Sequence, residues 1–463
     1  MTPHGVGQLI QTNYLQTFKS AGFGFKINEI IHKINNMTKA EQFLKAHKTT
    51  ASDYNIGELV NAFLSEMEDG LSGKESSLMM LPTYIEAEGE VKANQSVIAI
   101  DAGGTNFRAA KVYFDENLKL ITENIQMNKM PAVDKELSKK EFFDTFAKYM
   151  EDYKTVSDKI GFCFSYAAEI FPSKDGKLIE WSKEVKAPEV VGEMIGEQLL
   201  AAMGTPEKHV VLMNDTVSTL LAGKAATAGK VYDTYIGFIL GTGTNTSYIE
   251  DNKNIIKTSG LDLEGSQIIN IESGNYSGIK ATDIDVAFGN TTKDPGRYLF
   301  EKMFSGGYLG GLCTTALKIA AGEGLFSTET KTKLDSLPEL SSEEINKFVC
   351  GIDLAENTLT EVLISEEDKS TAAEIINGLI ERAAKLVAIN IAAVILKTGK
   401  AKTAEKPVLM TIEGTTFYKL NNFQKMFEEF LQEFLSGENQ RYYEIVEVEN
   451  SSLLGAAIAA IVN

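Results

Sequence analysis

Val97-Ile-Ala-Ile-Asp-Ala-Gly-Gly-Thr-Asn-Phe-Arg-Ala-Ala-Lys-Val-Tyr113 is the stretch on which the fold turns. The apolar run Val97–Ile100 is too short for a helix and rich in β-branched residues, which predicts a buried strand. It breaks at Asp101–Asn106, where two adjacent glycines mark a tight turn, and resumes as a second strand over Arg108–Tyr113. A later stretch has the same plan: Tyr235–Leu240, then Gly241-Thr-Gly-Thr-Asn245, then Thr246–Ile249. Gly-Gly-Thr-Asn in the first copy answers Thr-Gly-Thr-Asn in the second. The copies stand about 140 residues apart, one domain length. Two unrelated hairpins would read the same way; the self-similarity points to two related α/β domains, each presenting a glycine-turn hairpin to a shared cleft.

Further strands are expected at Lys159–Ser165, His209–Met213 and Val408–Ile412. Helical spacing marks Ile27, Ile30, Ile31 and Ile34, and then Leu59, Phe63 and Met67. Thr371–Leu396 predicts a long buried helix with Ile375, Leu379, Leu386 and Ile389 on one face. Small residues after Gly455 predict a helix packed closely on a neighbour, while Glu323–Asn357 reads as a charged, loop-rich stretch.

The 463 residues are 43% hydrophobic and 24% charged, an ordinary globular balance with room for two or three domain-sized units. A net charge of −19 argues against nucleic-acid and anionic-membrane partners. Any polyphosphate must therefore be held by a local set of donors. Cys163, Cys313 and Cys350 are far apart and form no CxxC pair, so a reducing, cytoplasmic setting is expected. The N-terminal text lacks a signal-peptide layout, and no apolar run reaches the ~18 residues of a membrane helix, so no membrane insertion is expected. Four scattered histidines argue against a His-based triad or metal centre, and no protein metal site is expected.

The P-loop and Rossmann signatures are both missing. The hairpins offer another route to phosphate. Gly103 and Gly104 permit positive φ and let backbone N–H groups approach an anion, Thr105 and Asn106 add side-chain donors, and Arg108 adds a cation. Asp101 at the strand end could orient water around a phosphate-bound Mg²⁺, an ion that keeps most of its waters. Gly414-Thr415, following the strand at Val408–Ile412, extends the pattern toward ATP.

Asn214-Asp215-Thr216 follows the strand His209–Met213 and precedes an apolar helix start. By itself such a pair is a cap or turn. The chemical reading is a carboxylate at the C-terminal end of a strand, where α/β clefts place their chemistry, able to take a proton from a substrate hydroxyl. Glu272 and Glu301 stand in glycine-flanked contexts and read either as surface glutamates or as acceptors for adjacent sugar hydroxyls.

With these pieces in order, the chain resembles the eukaryotic-type hexokinase/glucokinase family of the actin-like sugar-kinase superfamily. The resemblance runs from about Leu81 onward through MLPTY (Met80–Tyr84), DAGGTNFRAAKV (Asp101–Val112), GFCFSY (Gly161–Tyr166), WSKEVKA (Trp181–Ala187) and NDTVSTLLAG (Asn214–Gly223). It continues through GTGTNTSYIE (Gly241–Glu250), NIESGNYSG (Asn270–Gly278), PGRYLFEKMFSGGYLG (Pro295–Gly310), RAAKLVAINIAAVIL (Arg382–Leu396) and EGTTFYKL (Glu413–Leu420).

The resemblance implies an α/β fold of two actin-like, ribonuclease-H-like domains closing over a sugar and ATP. The expected division is residues 1–80 as a helical segment of the large domain and 81–220 as the small domain. Residues 221–450 then complete the large domain, and 451–463 form a helix returning to the small one. The implied reaction is transfer from ATP-Mg²⁺ to the 6-hydroxyl of a hexose, D-glucose first, as the entry step of glycolysis. Asp215 would be the base. Ser165, Ser182 and Lys183 would meet the sugar from the small domain, and Asn214, Asn245, Glu272 and Glu301 would complete its site. Asp101, Gly103, Gly104, Thr105, Asn106 and Arg108 match the first phosphate loop, Thr242 and Gly243 the second, and Gly414 and Thr415 the adenosine site. Mg²⁺ would arrive mainly on the nucleotide phosphates, and the chain could be a monomer or homodimer.

Departures are visible. Ser182 replaces Thr, Tyr298 a sugar-contacting Gln, Ser273 a Trp, Ala167 a Pro and Glu413 an Asp, while Asn450–Gly455 replaces a Gly-rich turn. Lost hydrogen bonds at a polar site change discrimination strongly, so another hexose or an amino-hexose stays open. A catalytically weak sugar sensor and an actin-like assembly ATPase are the rivals from other classes.

Overall fold

The deciding stretch forms two strands, β2 (Val97–Ala102) and β3 (Asn106–Phe114), paired antiparallel across the glycine turn. A computed structural model of the chain describes residues 37–86, 93–117, 119–181, 185–227 and 229–463. β3 continues into β4 (Leu120–Lys129), and β5 (Lys159–Phe164) and β8 (His209–Met213) add in parallel on the other side of β2. The resulting sheet has the order β4-β3-β2-β5-β8. β2 is buried along its whole length because both faces are covered, which is why its text is continuously apolar. Ile98 and Ile100 face helices α3 (Lys139–Tyr149) and α4 (Ile195–Met203), whereas Val97 and Ala99 face the opposite layer.

The second hairpin is β9 (Thr234–Leu240) with β10 (Thr244–Asp251), and it seeds a sheet of the same plan. β11 (Ser266–Asn270) pairs antiparallel with β10, while β12 (Val408–Glu413) and β13 (Tyr443–Val446) add in parallel beside β9. The order β11-β10-β9-β12-β13 repeats that of the first sheet, with β1 (Leu81–Pro82) as an extra edge on β11. The internal similarity of the two glycine turns is thus a duplication of topology. β6 (Ala168–Ile170) and β7 (Gly176–Leu178) form a separate small ribbon.

Between the sheets stand two helices in close contact. α5 (Asp215–Ala226) packs on β9 and β12, and α9 (Ser451–Val462) packs on β2, β5 and β8. A Cβ on Gly455 would fall 1.9 Å from the carbonyl oxygen of Ser218, and one on Gly161 would fall 1.8 Å from that of Ala456. Glycine at these positions lets the backbones touch, as the small-residue text predicts. α5 runs through residue 220, the expected boundary, because its apolar side chains Val217, Leu220 and Leu221 join the layer between the sheets.

Helices α1 (Lys39–Ala46) and α2 (Ile56–Ser72) pack on the long helix α7 (Glu366–Thr398) against the six-stranded sheet. The helical spacing at Ile27–Ile34 lies outside the described residues. One expectation fails: Glu323–Asn357 is not loop-rich, since it contains the helices Thr328–Ser336 and Ser342–Cys350. Ser327 and Ser341 cap them, the latter in a capping box with Glu344, and Leu334, Ile345 and Phe348 give each an apolar stripe. Among the described residues no helix is long and apolar enough to cross a membrane.

Candidate active site

β2 carries Asp101 to the glycine turn, which closes with the Gly103 N–H donating to Asn106 O at 3.0 Å. Neither Gly103 nor Gly104 has positive φ, so the expected left-handed freedom is not what this turn uses. Arg108 is also more committed than its sequence position suggests. Its Nε and Nη2 donate to Asp101 Oδ2 at 2.9 and 2.5 Å, and its Nη1 donates to Asn450 Oδ1 at 3.0 Å. The guanidinium therefore pins Asp101 to the start of α9 as well as bringing positive charge to the hairpin. Ser165 joins from the end of β5, its N–H donating to Ala102 O at 3.1 Å, and the Tyr166 hydroxyl donates to Gly103 O at 2.8 Å. Ser182 and Lys183 lie outside the described residues.

The second hairpin is held tighter. Gly243 lets the Glu301 carboxylate come close: a Cβ there would stand 2.8 Å from Glu301 Oε2 and push that carboxylate aside. That same oxygen accepts from the Thr244 N–H at 2.9 Å, joining one sugar-site candidate to the second phosphate turn. The carbonyls of Gly241 and Thr242 accept from Gly306 and Gly307 N–H, each at 2.8 Å. Gly414, with φ +122° and its would-be Cβ 2.2 Å from Leu240 O, brings Thr415 and helix α8 (Thr415–Lys419) onto this turn.

Asn214 and Asp215 show that the cap and cleft readings are compatible. Asn214 is the N-cap of α5: its Oδ1 accepts from the Thr216 N–H at 2.9 Å and the Thr216 hydroxyl at 2.8 Å. Asp215 is the first helical residue, where the helix dipole favours an acid. Its Oδ1 takes a second contact from the Thr216 N–H at 3.0 Å. Capping thus falls mainly on the asparagine.

Asn245 Nδ2 donates to Asn270 Oδ1 at 2.8 Å and reaches Glu272 Oε1 and Asn214 Oδ1, each at 3.3 Å. Asn270 Nδ2 donates to Glu272 Oε1 at 2.8 Å. Glu272 itself has φ 57°, a left-handed conformation rare for a glutamate and held by this network. Asn270 is a site residue with no signal of its own in the sequence, although it opens the block Asn270-Ile-Glu-Ser-Gly-Asn275. Its role appears only when β10 and β11 pair and bring it beside Asn245.

The site is rich in carboxylates. Burial raises Asp101, Glu272 and Glu413 above the ordinary range, and the charge of Asp215 adds to the push on all three. Arg108 opposes it at Asp101, the Asn270 and Asn245 amides oppose it at Glu272, and Ser451 and Thr219 hydroxyls oppose it at Glu413. Asp215 is therefore felt both on the hairpin side of the cleft and on the Glu272 side. Among the described residues no group of three or more His, Cys, Asp or Glu is placed to hold a metal ion.

A raised carboxyl holds its proton more tightly in the folded than in the unfolded chain. Charging Glu272 thus costs stability from its ordinary 4.5 upward, and the cost is complete above its raised folded value. Glu272→Gln is expected to raise the Tm at pH ~7, with the gain vanishing near pH ~4 where both states are protonated. Calorimetry at the two pH values checks this; a lower Tm at neutral pH refutes it.

Two models of one protein family match the chain, both described as hexokinase, over residues 39–225 and 235–462. Among curated proteins, Hexokinase-7 of Oryza sativa subsp. japonica is 29% identical over 429 residues, covering 86% of this chain and 91% of that protein. Hexokinase-2 of Schizosaccharomyces pombe is 28% identical over 458 residues, covering 90% and 97%. Among solved structures, a hexokinase from Schistosoma mansoni complexed with glucose superposes with a TM-score of 0.73 at 24% identity, covering 92% of this chain and all of that one. That likeness carries the fold, two actin-like domains.

Proposed function

We infer that this chain, which belongs to the hexokinase family and is a sugar-phosphorylating hexokinase enzyme, transfers the γ-phosphoryl of ATP to the 6-hydroxyl of D-glucose, the entry step of glycolysis. The observation that carries this reading is the position of Asp215. It stands at the start of α5, with its charge felt by Asp101 and Glu413 on one side and by Glu272 on the other. A base there would lie between the hairpins and the amide-carboxylate network, next to Asn214, which Asn245 Nδ2 reaches at 3.3 Å.

Asn214, Asn245, Glu272 and Glu301 would take the sugar hydroxyls from the large lobe, with Ser165, Ser182 and Lys183 contributing from the small lobe. Asp215 would remove the proton of the attacked hydroxyl. ATP enters as substrate with its own Mg²⁺, which neutralises phosphate charge. The hairpin residues Gly103, Gly104, Thr105, Asn106, Thr242 and Gly243 would offer N–H and side-chain donors to the phosphates. Asp101, fixed by Arg108, would orient water on the ion, and Gly414 and Thr415 would border the adenosine. Lobe closure would exclude water and so limit wasteful hydrolysis of ATP. A reducing, cytoplasmic setting is part of this reading.

A second reading, a different hexose or an amino-hexose, is favoured by Tyr298, whose hydroxyl is already bonded to Glu180. Coupled ADP release across a panel of hexoses decides between them. Glucose is expected to give the highest kcat/KM. A flat panel without sugar-stimulated ADP release would end the kinase assignment, and a preference for another sugar would move the substrate but keep the chemistry.

A further inference from the structure

We propose that Glu180, Arg297 and Tyr298 form a latch across the cleft that holds the two lobes together over bound hexose. The proposal rests on the two-lobed sugar site just described, and it casts these three as positioning residues.

Glu180 precedes Trp181 in the segment that follows β7 of the small lobe. Arg297 and Tyr298 lie in the large lobe, directly before helix α6 (Leu299–Lys302), which carries Glu301. The Tyr298 hydroxyl donates to Glu180 Oε1 at 2.6 Å, and Arg297 Nη2 donates to the same oxygen at 2.8 Å. Arg297 Nη1 reaches Glu180 Oε2 at 3.4 Å, and Nη2 also donates to Tyr298 Oη at 3.2 Å. The guanidinium lies over the Tyr298 ring, 4.9 Å from its centroid. Both oxygens of one carboxylate from one lobe are thus engaged by two neighbouring side chains of the other, a forked geometry that sets separation and orientation together.

Parting the lobes breaks the three contacts to Glu180 at once. The backbone of Tyr298 is left-handed, φ 53°, a conformation that aromatic residues rarely adopt, so its placement is held by what the side chain binds. Its one proton is committed to Glu180, so it offers no donor to a sugar while that bond holds. The Glu180 and Arg297 side chains are 38% and 54% exposed, so solvent and salt weaken the ionic part. Most of the hold falls on the Tyr298–Glu180 hydrogen bond.

The chain carries its own reporter. Trp181, the only tryptophan, adjoins the latch and packs on Tyr166 with ring centroids 4.7 Å apart. Hexose is titrated into the full chain at low and at ~0.5 M salt, following Trp181 fluorescence, with kcat and KM measured in parallel. Glu180→Gln and Tyr298→Phe are each expected to weaken hexose binding about three- to tenfold. Glu180→Gln is expected to keep kcat at saturating hexose within about twofold, because a latch acts on capture rather than on the chemical step. Wild-type affinity should fall with salt, and this dependence should flatten in Glu180→Gln and Arg297→Met. Combining those two changes should cost no more than Glu180→Gln alone. Unchanged affinity and salt dependence in every variant overturn the latch and leave the sugar site standing. A wild type that shows neither a fluorescence response nor ADP release with any hexose overturns the sugar site and the latch together.

Discussion

Asp215→Ala is expected to lower kcat by about 10²–10⁴ while leaving hexose binding within a few-fold of the wild type. The split follows from how the start of α5 is built. Asn214 supplies the main cap through Thr216, so removing the neighbouring carboxylate leaves the helix start and the Asn214–Asn245 contact in place. What is lost is the group that takes the hydroxyl proton. Removing its charge also relieves part of the upward push on Asp101, Glu272 and Glu413. Loss of the acid at the helix start and of its Thr216 contact opposes that relief, so stability at neutral pH should stay close to that of the wild type. Steady-state ADP release with a parallel sugar titration checks the result. A rate within about tenfold of wild type would force the base to be reassigned.

Gly455→Ala is expected to destabilise the chain by at least about 3 kcal/mol, an unusually large cost for one methyl group. The new Cβ would meet the Ser218 carbonyl oxygen at 1.9 Å and its carbon at 2.4 Å, both backbone atoms that cannot rotate aside. Relief requires α9 and α5 to part, and α5 begins at Asp215 and bonds α9 through Ser218 Oγ to Ser452 O at 2.6 Å. Activity should fall with stability for that reason. Gly322→Ala is the control: its Cβ meets nothing within 4 Å, so a change of at most about 1 kcal/mol is expected. Urea unfolding of both variants separates the cases, and similar midpoints would refute the close-packing account.

Which parts of this protein could be read from its residues has a physical pattern. β2, β5, β8, β9 and β12 were legible because burial on both faces makes their text continuously apolar. β4 was not, since it is an edge strand with no fully buried position, exposing Ile125 and Met127 beside Thr122, Asn124 and Lys129. The charged run Glu323–Asn357 hid two helices whose signal lay in the serines at their starts rather than in hydrophobic density. At the site, single residues beside glycine turns were visible, but their partners were not. Asn450 on Arg108, Asn270 on Asn245 and Glu180 on Tyr298 are all remote pairings made by the tertiary fold. Tyr298 was noticed as a departure in type, while its tie to the opposite lobe is a property of geometry.

The placement of α9 also sets an order of assembly. The five-stranded sheet takes its strands from residues 97–213, yet one of its faces is closed by Ser451–Val462. At synthesis rates of about 5–20 residues per second, that cover emerges about 240 residues after β8, on the order of ten seconds or more later. Until then Val97, Ala99, Val211 and Met213 lack their α9 partners. The early half must therefore wait, partly uncovered, for the late half, and the two lobes mature as one unit rather than in sequence.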